Sequence, residues 1–175
     1  SRGLGDVYKR QTYALGQAYL EAGSYELAAD RFLSLGDYQD SPEMFKEASY
    51  QQAQALYDGG NYTVARVLFQ NLADYSDSAD RAQACTYQEG KALYDAGDYA
   101  GAVAALAPLG EYEDAAQLVK QANYAMAEAK LTEGQDEEAG RLFLAAGDYS
   151  DAVARGNDCI YPVSYTHLTL PTIFR

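Results

Sequence analysis

The residues of this chain that could do chemistry are tyrosines and carboxylates, and they fall at one fixed interval. Tyr13, Tyr50, Tyr87, Tyr124 and Tyr161 each lie 37 residues after the last. A second tyrosine column runs Tyr38, Tyr75, Tyr112 and Tyr149, followed two places on by Asp40, Asp77, Asp114 and Asp151. Tyrosine combines a large rigid face with a hydroxyl and loses little entropy when ordered, so a repeated tyrosine is contact surface rather than catalyst. The paired acids of the turns, such as Asp37 with Asp40 and Asp74 with Asp77, invite a calcium reading. Their spacing lacks the glycine pivot and distal bidentate Glu of a calcium loop. The parts of an enzyme are missing as well. The only histidine, His167, lies in the C-terminal tail, and residues 12–161 hold no nucleophile–histidine pair, phosphate loop or metal-spaced Cys/His cluster. The expectation is a module that is not an enzyme and that holds no metal or cofactor.

A strict interval of this length marks an array of one supersecondary unit. Ala18, Ala55, Ala92 and Ala129 form a small-residue column, and Gly23, Gly60, Gly97 and Gly134 a glycine column. Ala28, Ala65, Ala102 and Ala139 precede Phe32, Phe69, Leu106 and Phe143 by four. The second repeat shows what must position the tyrosines. Asp40 is a favoured N-cap, Pro42 is tolerated in a first turn, and Glu43 completes a capping-box spacing. Phe45, Ala48, Ala55 and Leu56 make one helical face through to Asp58. Gly59 and Gly60 end that helix, and Tyr62 opens a second with a buried stripe of Val64, Ala65, Leu68, Phe69 and Leu72. Each unit is therefore a long helix A, a two-residue turn, a shorter helix B and a polar turn, and stacked units share a core.

The spacing of Ala18, Gly23, Tyr25, Ala28, Phe32 and Leu35 resembles the tetratricopeptide repeat, over four units and nearly all of residues 12–160. The chain departs from that family in its 37-residue period, in an aromatic placed one position later in helix A, and in a leucine column that continues from Leu15 as Gln52, Glu89 and Met126. Sel-type repeats of similar length insert their extra residues between helices A and B, where this chain keeps a short turn. The resemblance implies an all-α, right-handed α-solenoid whose A helices line a concave groove for a protein or peptide. Carried over by position, the groove candidates are Tyr50, Gln54, Tyr57, Tyr87, Lys91, Tyr94, Tyr124 and Glu128, with Tyr13, Gln17, Leu20 and Leu131 in the same columns. Two readings of the 37-spaced tyrosines stay open: groove contacts, or wedges between repeats. Tyr57 and Tyr94 occur in two repeats only and are the stronger ligand candidates. Tyr25, Tyr62 and Tyr99 read as packing residues at the start of helix B, and Tyr38, Tyr75, Tyr112 and Tyr149 as anchors of the inter-repeat turn. A structural spacer, carrying a catalytic, membrane or envelope domain elsewhere in the gene, is the competing function.

The two ends read differently. SRGLGDVYKRQ at residues 1–11 and VSYTHLTLPT near the C-terminus resemble in-frame translations of the two adapters of one transposase-based sequencing kit. The expected division is residues 1–11 and 162–175 as non-native tails, with residues 12–161 as the repeat module of a longer protein. Without the tails the chain keeps nine basic and 25 acidic residues, so its net charge moves from −13 to −16. That balance argues against nucleic acid and anionic membranes. Two readings of it stay open: a basic partner, mildly favoured by the charge, or a solvated acidic surface that keeps the solenoid soluble. No apolar run approaches the ~20 residues of a membrane span. Cys85 and Cys159 share a column with Ala48 and Ala122, and so read as small buried groups compatible with a reducing, cytoplasmic setting.

Overall fold

A computed structural model describes residues 2–161, and among these residues every regular element is a helix. The helices are α1 (Arg2–Glu21), α2 (Tyr25–Leu35), α3 (Ser41–Asp58), α4 (Tyr62–Leu72), α5 (Ser78–Asp95), α6 (Tyr99–Leu106), α7 (Ala115–Thr132), α8 (Asp136–Ala145) and α9 (Ala152–Ile160). Each packs on its neighbours in the chain, long helix against short. The described residues divide into two compact units, one up to Glu89 and one from Gly90 onward, with the boundary inside α5.

Turn chemistry sets the helix ends. Gly23, Gly60, Gly97 and Gly134 have φ between 74° and 81°, the left-handed region where a side chain is strained, and each follows the end of a long helix. Pro108 removes a backbone donor and clashes with the preceding turn, so α6 stops at Leu106 and a 3-10 turn covers Ala107–Leu109. α1 runs back through residues 2–11, so helix continues into the segment expected to be foreign. Residues 3–11 are exposed along that stretch.

The first unit buries Ala28, Ala29, Phe32 and Ala48 where α2 meets α1 and α3. Ala53, Ala65, Phe69, Leu72, Ala82 and Cys85 are buried between α3, α4 and the first part of α5. In the second unit Ala127, Ala139, Phe143, Ala146 and Ala152 join α7, α8 and α9.

Two expectations about these faces need correction. Ala18, Ala55, Ala92 and Ala129 are exposed; the buried small residues sit two places earlier, at Gly16, Ala53, Gly90 and Ala127. Two residues are 200° around a helix, so the column chosen on resemblance points to the opposite side. The tighter column exists because the long and short helices cross there. A Cβ on Gly16 would meet the Phe32 ring at 3.0 Å, and one on Gly90 would meet Leu106 Cγ at 2.5 Å. Val64, expected in the buried stripe of α4, is 45% exposed. It lies 100° from Ala65, beyond the arc that α3 and α5 cover.

Candidate functional site

The A-helix tyrosines are held by ring and hydroxyl together. Tyr13 packs edge-on against Phe32 at 5.6 Å, Tyr50 against Phe69 at 5.6 Å, and Tyr124 against Phe143 at 5.1 Å. On another side each meets the turn tyrosine of its repeat, Tyr38, Tyr75 or Tyr149, again edge-on. The hydroxyls then reach forward by 27 residues. Tyr13 donates to Asp40 at 2.5 Å, Tyr50 to Asp77 at 2.6 Å, and Tyr124 to Asp151 at 2.6 Å.

This accounts for the aspartate column in a way that capping does not. Asp40, Asp114 and Asp151 stand at N-cap positions without a side-chain cap bond. Their ψ values, 18° to 23°, are turn-like and differ from the 67° and 73° of Asn61 and Asp98, whose side chains do cap a helix. The capping box expected from Asp40 and Glu43 is therefore not formed, and Asp40 serves Tyr13 instead. Side-chain capping does occur at the short helices, where Asn61 accepts from Val64 N–H at 3.4 Å and Asp98 from Gly101 N–H at 2.9 Å.

Electrostatics follow from these bonds. The bond to Asp40 raises the Tyr13 pKa, and that to Asp77 raises the Tyr50 pKa, because ionisation would set two anions side by side. Asp77 is lowered in turn, chiefly by the Tyr50 hydroxyl and then by Arg81, which lies at 3.0 Å. Tyr75 donates to Glu47 at 2.7 Å and is pushed up to about 12. Burial raises the Tyr94 hydroxyl. Burial also pushes the Cys85 thiol up to about 11, which keeps it protonated and unreactive. Both cysteines are free thiols.

The sequence candidates take distinct places. Tyr50 and Tyr124 are half-buried in the cores just described, and Tyr87 is 9% exposed. Gln54 donates to Asp58 at 2.9 Å on the open side of α3. Tyr57 is partly exposed and packs edge-on against Tyr62 at 5.2 Å. In the second unit Tyr94 packs similarly on Tyr99 at 5.4 Å and donates its hydroxyl to Gln121 at 3.1 Å. Tyr62 and Tyr99 thus do pack on the preceding long helix. Lys91 is exposed. Glu128 accepts from Arg155 at 2.9 Å, and the same guanidinium donates to the Tyr124 hydroxyl at 2.6 Å while lying 4.3 Å from the Phe143 ring centre.

Compared with known families, curated proteins and solved structures, the chain matches none.

Arg155, Gln121 and Glu47 were not singled out by sequence reasoning. A shared offset of 27 between the tyrosine and aspartate columns was the available signal, and it marks long helix to long helix contact. Among the described residues no group of His, Cys, Asp and Glu is placed to hold a metal ion, and no helix is long and apolar enough to cross a membrane. What remains for contact chemistry is the polar side of the long helices. On α3, Glu43, Glu47, Gln51, Gln54 and Asp58 recur at three- and four-residue spacing, and none of them is buried.

Proposed function

We propose that this chain is a protein- or peptide-binding scaffold built from tetratricopeptide-like repeats of 37 residues. Contact is made by the partly exposed polar faces of the long helices. The observation that carries the reading is the α3 face of Glu43, Glu47, Gln51, Gln54 and Asp58, bordered by the partly exposed Tyr57 ring. Amide side chains offer both donor and acceptor to an extended peptide backbone. Carboxylates favour Lys and Arg on the ligand, and the net charge of −13 favours the same partners at longer range. Tyr57 adds a rigid aromatic contact, with Tyr94 its counterpart in the second unit. A spacer role is the second reading. It is favoured by the engagement of the Tyr13, Tyr50 and Tyr124 hydroxyls within the fold.

Selection of a random peptide display library against the whole chain tests the first reading. Selected peptides should be rich in Lys and Arg. Binding anchors lose ≥ ~2 kcal/mol on truncation, so the Gln54→Ala, Tyr57→Ala double variant should weaken those peptides more than tenfold with helicity unchanged. Equal binding by a folded double variant would remove this face from consideration. Failure to select any peptide would leave the spacer reading in place.

A further inference from the structure

We propose that the cleft between the first turn of α2 and the second half of α3 is a separate docking site. Its occupant would be an aliphatic side chain carried on a cationic segment of a partner protein. Tyr25, Glu26 and Leu27 line it from α2, and Gln52, Ala55 and Leu56 from α3. The cleft holds about 430 Å³, within the ~300–1,000 Å³ range of ligand pockets. Leu27 is 45% exposed, so an aliphatic group is presented to solvent beside an apolar wall.

Charge selects the occupant. Glu26 is exposed, Glu21 lies exposed two residues before the lining Gly23, and no cationic side chain is among the described residues that line the cleft. A segment bearing Lys or Arg beside one Leu, Ile or Met would bury the aliphatic group while its charge faces the Glu26 carboxylate. Gln52 could meet the segment's backbone with either end of its amide. At 100° per residue, the mean direction of Gln52, Ala55 and Leu56 lies roughly 130° from that of Glu43, Glu47, Gln51, Gln54 and Asp58. The cleft therefore opens on a different side of α3 from that polar face, and one can fail without the other.

The test is a titration of the ¹⁵N-labelled chain with three blocked pentapeptides, read by amide chemical shifts. One carries Leu between two pairs of arginines, one replaces that Leu by Ser, and one replaces the arginines by glutamates. The Leu–Arg peptide should give saturable shifts at Leu27, Ala55 and Leu56. The Ser peptide should bind more than tenfold more weakly, and the Glu peptide should give no shifts there. Leu27→Ser should weaken the Leu–Arg peptide at least tenfold with unchanged circular dichroism. Should that variant lose helicity, Glu26→Gln provides the same test through a several-fold loss and a shallower salt dependence. Equal binding of the Ser and Leu peptides would reduce the site to diffuse charge and overturn the proposal. So would shifts confined to Gln54 and Tyr57, or no saturation at all.

Discussion

Ala73 occupies a conformation meant for glycine. It ends α4 with φ 51° and ψ −114°, while Gly36 and Gly110 at the ends of their own short helices have nearly the same angles. That region crowds any Cβ, and residues held there carry ~1–3 kcal/mol of strain. Ala73→Gly is expected to stabilise the protein by ~1 kcal/mol, measurable as a higher urea midpoint, although glycine also loosens the unfolded chain. Ser41 and Ser78 make a second local case. Both are fully buried at the first position of a long helix, and neither hydroxyl has a hydrogen-bond partner. Ala115 and Ala152 fill the equivalent places without a hydroxyl. A buried unmet hydroxyl costs ~1–3 kcal/mol, so Ser41→Ala should be neutral or stabilising in the same measurement. A loss above ~1 kcal/mol would show that the hydroxyl has a partner after all. The glycines at helix crossings run the other way. Gly90→Ala gains ~1 kcal/mol of helix propensity but drives a Cβ to 2.5 Å from Leu106 Cγ, and overpacking of this kind costs ~1–3 kcal/mol. Net destabilisation is the expected outcome. Ala53 stands fully buried at the same column, in the cluster of Ala65 and Phe69, so that crossing already accommodates a methyl group.

At the scale of helices, length and boundary were readable from glycine and periodicity, because a φ near 75° leaves few residue choices. α3 and α4 begin and end within a residue of where Asp40, Gly59, Gly60 and Tyr62 place them. Which arc of each helix is buried was less legible. Ala18 and Gly16 are both small, and only the neighbouring helix decides which one faces inward. The partner of each aspartate was also hidden, since an N-cap position and a hydrogen bond from a tyrosine 27 residues earlier use the same residue type. That bond has a pH signature. The Tyr50 hydroxyl holds Asp77 below its ordinary pKa, so the extra stability is present above ~pH 4 and fades as pH falls through the depressed value. Tyr50→Phe removes the donor. It should cost only ~0.5–1 kcal/mol at neutral pH, because Asp77 is nearly half exposed, and it should flatten the acid limb of the stability curve. An unchanged acid limb would mean that Arg81 alone governs Asp77.

For the molecule as a whole, the alkaline limb reports the opposite linkage. Tyr75, raised to about 12 by Glu47, with Tyr13 and Tyr50 raised by their aspartates, contributes stability that is complete below ~pH 10. That stability is lost as pH rises through the raised values. Absorbance titration near the tyrosinate band should show a late-ionising class that disappears on unfolding, and Glu47→Gln should shrink it. The first residues of α1 add little to this balance. Residues 3–11 are exposed, and their aromatic contact is Lys9 over Tyr38 at 5.8 Å. Removing residues 1–11 should change stability by less than ~1 kcal/mol, as surface changes generally do. A larger loss would show that the segment is part of the fold.

The forward reach of the tyrosines also restricts how such a chain can change length. Tyr13 to Asp40, Tyr50 to Asp77 and Tyr124 to Asp151 are fixed spans of 27 residues, each enclosing a complete short helix. One residue inserted into that short helix rotates everything after it by 100° and takes the aspartate away from its hydroxyl. Growth by duplication or loss of whole tyrosine-to-tyrosine intervals leaves every such pair intact. The chain is thus built to be lengthened in whole steps and to resist single-residue drift, as a ratchet accepts only full teeth.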